Sequence, residues 1–530
     1  MRKLRTSHFP TCLSLLLLAL LGIFMLVWVF TQAGSYGQTM DEPLRDTYGR
    51  SILKWYKSLG KDMSFITAYP AFEYEPQHGA IFDLITVVAE RIFKHQWYTH
   101  AVIIGLSGVA GIVAIALCGY ELLGPWGALL AALGLWLYPR YSGAIFNNPK
   151  DIPFAVAMTW VLWSVLLLIK KWDSKKYFWY CVLVGFCIGF AVSIRVTAVI
   201  WYGILGLMLV GSWKLYWLRI KYQKLVMMAF RKHIVACIGI GLVSLLTMVT
   251  LWPYVALSPI AHLYESITVM SKYPWNGTVL FNGVTYPAAH IPRWYAPVWL
   301  GIGSPPALVL CMLLGVTAAG IFLFRKRVMD PRLMIVLLAF FVPLASIVVL
   351  HSVLYGALRQ FLFLVPPMIL LAVYGITQAF RFLIARSQKI IAGGLALLLL
   401  LSYVFVIKDM VSLYPYEYVY FSPIVGGLPG AATKYETDYW GACQKASAEW
   451  LAQNYQHYTG KKHPSVEGVP NFESLVTMYL PGNFHVDEKQ PDFYVDPIAI
   501  SGTGNYASYR IIHTESREDV PLCLLRSPLG

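Results

Sequence analysis

Long apolar runs, separated by short charged clusters, constrain this chain more than any other feature. A helix rises about 1.5 Å per residue, so about 20 apolar residues are needed to cross the hydrocarbon core of a bilayer. Runs of that kind lie at 12–32, 99–119, 125–146, 152–170, 177–194, 197–213, 233–256, 297–324, 333–351, 361–380 and 389–407. They predict an α-helical polytopic membrane protein with about eleven transmembrane helices. The stretch 177–213 is the least regular and fits a kinked pair or a re-entrant element as well as two crossings. Of the 530 residues only 13% are charged, against roughly one-quarter in soluble domains. A water-covered globule is therefore excluded.

The formal net charge of +15 matters less than where it sits. Lys and Arg collect at Arg2, Lys3 and Arg5, around Lys170–Lys176, from Lys214 to Lys232, at Arg325–Arg332 and at Arg381–Lys389. Every second loop is basic, which is the positive-inside pattern. Those loops are expected to face the cytoplasm and its anionic lipid, and no nucleic-acid partner is needed to explain them. The N-terminus is then cytoplasmic and, with an odd number of spans, the C-terminus extracytoplasmic. Ala33-Gly34-Ser35 resembles a cleavage region, but the first apolar run exceeds the roughly 7–15 residues of a signal-peptide core. It reads as an uncleaved anchor.

The chain divides into a membrane part, 1–407, and a C-terminal extracytoplasmic domain, 408–530. The membrane part carries a first outer loop at 33–98 and a second at 257–296. In the first, Arg50-Ser51-Ile52-Leu53-Lys54-Trp55-Tyr56 suits an amphipathic helix lying along the interface. In the tail, Ala446–Leu451 reads as helix, and Asp492–Asp496 and Tyr509–His513 as strands, so a small α/β domain is expected. Of eight cysteines, six fall in predicted spans, where a thiol is a small apolar filler. Cys443 and Cys523 share the outer side. An oxidising compartment would allow a disulfide between them, and their spacing alone leaves that open.

Three groups of residues could carry chemistry. Asp41-Glu42 follows the first span, where a carboxylate could take a proton from a hydroxyl; a span ending in acidic residues at the water interface explains the pair equally. Asp151, in Asn148-Pro149-Lys150-Asp151-Ile152-Pro153, fits an N-cap of the following helix or a second carboxylate facing the same cavity, with Lys150 beside it. Arg195, Arg293 and Arg359 lie at or near the outer face, on the wrong side for positive-inside statistics. They either snorkel or hold a phosphate, for which the guanidinium fork is well shaped. His78 is a lone loop histidine, more often a hydrogen-bonding residue than a ligand. No zinc-spaced cluster, Walker loop, dinucleotide fingerprint or nucleophile elbow stands in a suitable context.

Taken together, the Asp-Glu pair after the first span, the long first outer loop, Asn148–Phe154, Tyr355-Gly356-Ala357-Leu358-Arg359-Gln360-Phe361 and the segment from Tyr414 through Glu436-Thr437-Asp438-Tyr439-Trp440-Gly441 resemble the GT-C glycosyltransferases. The closer likeness is to glycosyltransferase family 39 and its bacterial relatives, which include protein O-mannosyltransferases and the aminoarabinose transferase of lipid A. The resemblance implies a GT-C fold in a bacterial inner membrane. It also implies inverting transfer of a hexosyl or pentosyl group from a polyprenyl-phosphate donor to an extracytoplasmic hydroxyl of a glycolipid, glycan or protein. Asp41 would act as base with Glu42 in support. Arg195, Arg293, Arg359 and Lys150 would hold the donor phosphate, and His78, Asp151 and Tyr355 would contact substrate. No cofactor is required, although a divalent cation between Asp41 and Asp151 is compatible with their hard oxygen ligands. Where protein mannosyltransferases carry a His-Pro-Pro-type motif in the first loop, this chain has Gln77-His78-Gly79, so a protein acceptor does not follow. A transporter or flippase of lipid-linked sugars is the alternative class. The lack of a repeat between the two halves and the gathering of ionisable residues at one face weigh against it.

Overall fold

A computed structural model of the chain describes residues 9–67, 76–93, 96–219, 223–326, 329–469, 472–499 and 506–528. Of the clustered basic positions named above, Arg2, Lys3, Arg5, Lys221 and Arg327 lie outside them. Among the described residues eight helices are long and apolar enough to cross a membrane: Thr11–Gln32, Gln96–Leu123, Asp151–Lys170, Arg231–Leu251, Pro306–Arg325, Pro331–Leu350, Arg359–Ala385 and Lys389–Leu413. Pro125–Trp136, Tyr177–Val192 and Val196–Val210 are apolar but shorter. Among the described residues eight helices thus meet the length requirement and three more apolar helices are shorter, and the chain is a multi-pass integral membrane protein.

Proline accounts for two departures from the predicted spans. The run 125–146 stops as a helix at Trp136, and a separate turn begins at Pro139, because a proline biases the residue before it away from helical geometry. The run 297–324 breaks into Tyr295–Ile302 and Pro306–Lys326, with Gly303-Ser304-Pro305 between them. The irregular stretch 177–213 is a helix to Val192, a 3-10 turn at Val196–Val199 and a second helix from Ile200. That break puts Arg195 in extended backbone between two helices.

The segment after the first span forms two helices, Asp41–Lys57 and Ile81–Phe93. The first buries Leu44, Tyr48, Ile52 and Leu53, so the apolar face expected along the interface is covered by protein. The two helices approach closely at Gly49, where a Cβ would run into the Asp83 carbonyl.

After Leu413 the chain folds into a five-stranded sheet in the order His485–Val486, Ser465–Glu467, Phe493–Pro497, Val520–Ser527, Arg510–Arg517. The first three strands are parallel, and the last two pair antiparallel to their neighbours. Helix Gln444–Asn454 covers it, with Trp450 stacked on His513 at 4.3 Å. The expected helix and both expected strands are present. Cys443, just before that helix, is bonded to Cys523 in the fourth strand.

This tail docks on the residues that lead into Asp41. Tyr36 donates from its hydroxyl to Glu417 at 2.9 Å, and Gln38 N–H to the Tyr479 hydroxyl at 3.2 Å. Met40 N–H reaches the Trp440 carbonyl at 3.4 Å. Gly37 lies so close that a Cβ there would strike the Ala442 carbonyl. The start of the Asp41 helix is therefore clamped from the tail.

Candidate active site

Asp41 is the first residue of its helix, where the positive end of the helix dipole favours a carboxylate. Nη1 of Arg359 donates to its Oδ2. The same Nη1 lies 4.0 Å from Oδ2 of Asp151, whose Oδ1 accepts from Nη1 of Arg195 at 2.6 Å. Carboxylate and guanidinium alternate along a row, Asp41–Arg359–Asp151–Arg195, and each member comes from a different part of the chain. Arg195 also donates to the Gln360 carbonyl at 3.4 Å.

Local structure explains why each charge arrives. The helix of Asp151 is capped not by Asp151 itself, as its position suggested, but by Asn148. Oδ1 of Asn148 accepts from Asp151 N–H at 2.8 Å and from Lys150 N–H at 3.3 Å. The carboxylate of Asp151 is thereby left for the arginines, with Asn148 Nδ2 also donating to its Oδ2 at 3.4 Å. Asn147 Nδ2 donates to the Gly37 carbonyl at 3.2 Å and Thr39 hydroxyl to the Asn147 carbonyl at 2.8 Å, so the loops bearing Asp41 and Asp151 are stitched together. Arg359 follows a loop in which Gly356 and buried Ala357 both take the left-handed conformation, at φ 65° and 58°. For an alanine this is an unfavourable backbone, of the kind that persists only when its surroundings over-determine it. Here Glu436 accepts from the backbone of both residues. The Arg359 guanidinium lies 5.2 Å from the Tyr355 ring and 5.3 Å from that of Trp440, in cation–π range. Tyr355 in turn stacks on Trp275 at 4.2 Å.

The adjacent carboxyls Asp41 and Glu42 are shifted in opposite directions. Burial would raise Asp41, but the charges of Arg359, Arg45 and Lys150 and the bond from Arg359 hold it below the usual carboxylate range. It is ionised at neutral pH. Glu42 turns back on its own chain and accepts the Thr39 N–H at 2.8 Å. Burial pushes it well above its ordinary value despite that bond, and the charge of Asp41 pushes it further. His78 is buried with its Nδ1 lacking a hydrogen-bond partner. Burial and the positive charges of Lys150, Arg45 and Arg195 hold its imidazole well below the ordinary value, so it is neutral. A Cβ at the following Gly79 would strike the Ser193 carbonyl, and this close approach brings His78 to the Arg195 segment.

The structure thus gathers Asp41, Asp151, Arg195, Arg359, Lys150, His78 and Tyr355. Arg293 is not brought in: it is exposed in the turn before Tyr295–Ile302, and among the described residues it makes no bond or ion pair with these carboxylates. Arg359 occupies the position from which a divalent cation would bridge Asp41 and Asp151. Sequence reasoning missed Arg45, which is buried, acts on Asp41 and sits 3.5 Å from Asp83. Its place one helical turn beyond Asp41 was a usable signal. Trp440 and Glu436 were noted as part of a phrase but not as walls of the site.

No protein-family model matches the chain, and no curated protein matches it. Among solved structures, ArnT from Cupriavidus metallidurans in the apo state is similar with a TM-score of 0.50 at 16% identity, over 96% of this chain and 97% of that one. The apo oligosaccharyltransferase of Archaeoglobus fulgidus is similar with a TM-score of 0.50 at 14% identity, over 90% of this chain and 64% of its own. The same archaeal enzyme, AglB, in complex with an inhibitory peptide and a dolichol-phosphate, gives 0.50 at 15% identity, over 90% and 65%. The chain spans somewhat less than two thirds of the archaeal protein and nearly all of ArnT. It has the GT-C fold that its motifs resemble.

Proposed function

We propose that the chain is an inverting membrane glycosyltransferase that moves a hexosyl or pentosyl group from a polyprenyl-phosphate donor to an acceptor hydroxyl on the extracytoplasmic side. The observation that carries this reading is the row Asp41–Arg359–Asp151–Arg195, a carboxylate beside guanidinium groups at one end of a bundle of membrane helices. The shared fold with ArnT, and with an oligosaccharyltransferase solved with a dolichol-phosphate, supports it. Residues 1–407 would be the catalytic membrane part and 408–530 an extracytoplasmic domain that braces it, in a bacterial inner membrane with the N-terminus cytoplasmic.

In the reaction the acceptor oxygen attacks the anomeric carbon and gives its proton to Asp41. The bond from that carbon to the phosphate oxygen breaks, and its electron pair stays on the phosphate. A lipid phosphate is a good leaving group without protonation, so the site has to supply positive charge where negative charge grows. Arg359 and Arg195 do so, with Lys150 beside them. An Asp41 locked to Arg359 is a weak base, because a low pKa means a weak pull on a proton. Donor binding removes that brake. The phosphate draws Arg359 toward itself, and Asp41, losing its nearest cation, rises toward the range useful for proton transfer. Glu42 supports Asp41 by accepting the Thr39 N–H at the start of the same helix. His78, neutral, and Tyr355 on Trp275 are placed to contact the sugar, and Arg293 lies outside the phosphate site.

The test is incubation of the purified full chain with a panel of labelled polyprenyl-phosphate sugars and envelope acceptors, reading both product and anomeric configuration. One donor is expected to be consumed with inversion. Retention of configuration, or no transfer from any polyprenyl-phosphate sugar while lipid is moved across proteoliposomes, overturns the proposal.

A further inference from the structure

A second cluster of ionisable groups lies in the segment after the first span and takes no part in the row. Asp46, on the helix that begins at Asp41, Glu90, on helix Ile81–Phe93, and His100, at the start of span Gln96–Leu123, are all buried. Each offers one ligand atom, and the three atoms lie within 4.8 Å of one another. His100 Nε2 faces Glu90 Oε1 and stands 3.8 Å from Asp46 Oδ1. None of these three inward atoms has a hydrogen-bond partner of acceptable geometry, although a buried polar atom is nearly always paired.

The outward oxygens, in contrast, are satisfied. Arg50 Nε donates to Asp46 Oδ2 at 2.8 Å, and Gln96 Nε2 donates to the same oxygen at 3.1 Å. Arg50 Nη2 donates to Glu90 Oε2 at 2.5 Å. Each carboxylate is therefore oriented by one oxygen and turns the other toward His100 Nε2, which is how outer partners aim metal ligands. Arg50 brings one positive charge to two carboxylates, so negative charge remains for a cation to neutralise. One imidazole and two carboxylates suit zinc, whose ligands stand at about 2.0–2.2 Å and so about 3.3–3.6 Å from one another.

We propose that Asp46, Glu90 and His100 bind a divalent transition-metal ion, zinc by ligand type, that pins helices Asp41–Lys57 and Ile81–Phe93 to the following span. The site is separate from the Asp41–Asp151 row, and the inference does not depend on the transferase reading. Its role is structural: by fixing the helix that Asp41 starts, it sets where that carboxylate points.

The test is metal content of the detergent-purified full chain, stripped with chelator, reloaded with zinc chloride and desalted. About one zinc per chain is expected for wild type and for Asp41→Asn, with loss from both His100→Ala and Glu90→Gln. The melting temperature of stripped wild type is expected to rise on adding zinc, and that of either variant to stay unchanged. Two variants are used so that poor folding of one leaves the other to decide. Failure of reloaded wild type to hold zinc, retention of zinc by either variant, or its loss from Asp41→Asn overturns the proposal.

Discussion

Two aspartates, half-buried Asp41 and buried Asp438, show how differently this chain holds a negative charge. Asp438 is 0% exposed. It accepts from the backbone N–H groups of Trp440, Gly441, Ala442 and Cys443 and from the Tyr418 hydroxyl. Every partner belongs to the fold, and burial still pushes its carboxyl up. Asp41 has a side chain 28% exposed, and it is held down by the cations of Arg359, Arg45 and Lys150. Arg359 can be shared with an incoming anion; a backbone N–H in a turn cannot. The first arrangement locks a loop; the second stays ionised with a partner that, in the proposed reaction, the donor phosphate takes.

Substitutions can break that contrast, and the largest effect is expected at the row. Arg359→Ala removes a guanidinium facing two carboxylates, and transfer is expected to fall by about 10²–10³, the loss typical of an electrostatic donor in a transition state. A rate assay at saturating donor checks this, and Arg359→Lys, which keeps the charge but not the fork, should recover part of the rate. Next in size is the tail clamp. Cys443→Ser with Cys523→Ser opens a link across 80 residues and is expected to lower stability by about 2–5 kcal/mol, read as a fall in melting temperature. Asp438→Ala leaves several backbone donors unpaired and is expected to cost about 1–3 kcal/mol. Its rate per folded molecule should change far less than that of Arg359→Ala; equal losses would erase the distinction between the two aspartates.

The smallest effect is in pH dependence. Burial raises Glu417 and Glu436 from 4.5 to about 7. The folded chain then keeps protons that the unfolded chain has lost, so their contribution is complete below pH 4.5 and is lost as pH rises through about 7. Melting curves from pH 5 to 8 should show this decline, and Glu417→Gln with Glu436→Gln should flatten it.

Much of this was legible in the sequence, for a physical reason. Hydropathy sums over about 20 residues and tolerates local error, so the apolar runs are helical for most of their length, and the interruptions fall at Pro139, at Pro305-Pro306 and between Val192 and Val196, where local backbone geometry overrides it. Asp41 and Asp151 could be named because a carboxylate stands there where an outer loop meets a span, and Arg195 and Arg359 because positive charge is rare on the outer face. The same argument named Arg293, which stays exposed in its turn, since facing the right side does not fix a side chain's direction. The retreat of Glu42 onto Thr39 and the capping of Asp151 by Asn148 were hidden because each depends on the residue where a helix begins. The Cys443–Cys523 link was undecidable until the sheet register placed the second cysteine beside the helix carrying the first.

The measurement that bears most directly on the reading of the row is the turnover of a polyprenyl-phosphate sugar by Asp41→Asn, beside wild type of matched melting temperature. A loss of about 10²–10⁴ is expected, the range for removal of a general base, with donor binding retained because the arginines remain. Turnover at the wild-type rate would contradict the assignment of Asp41 as the base.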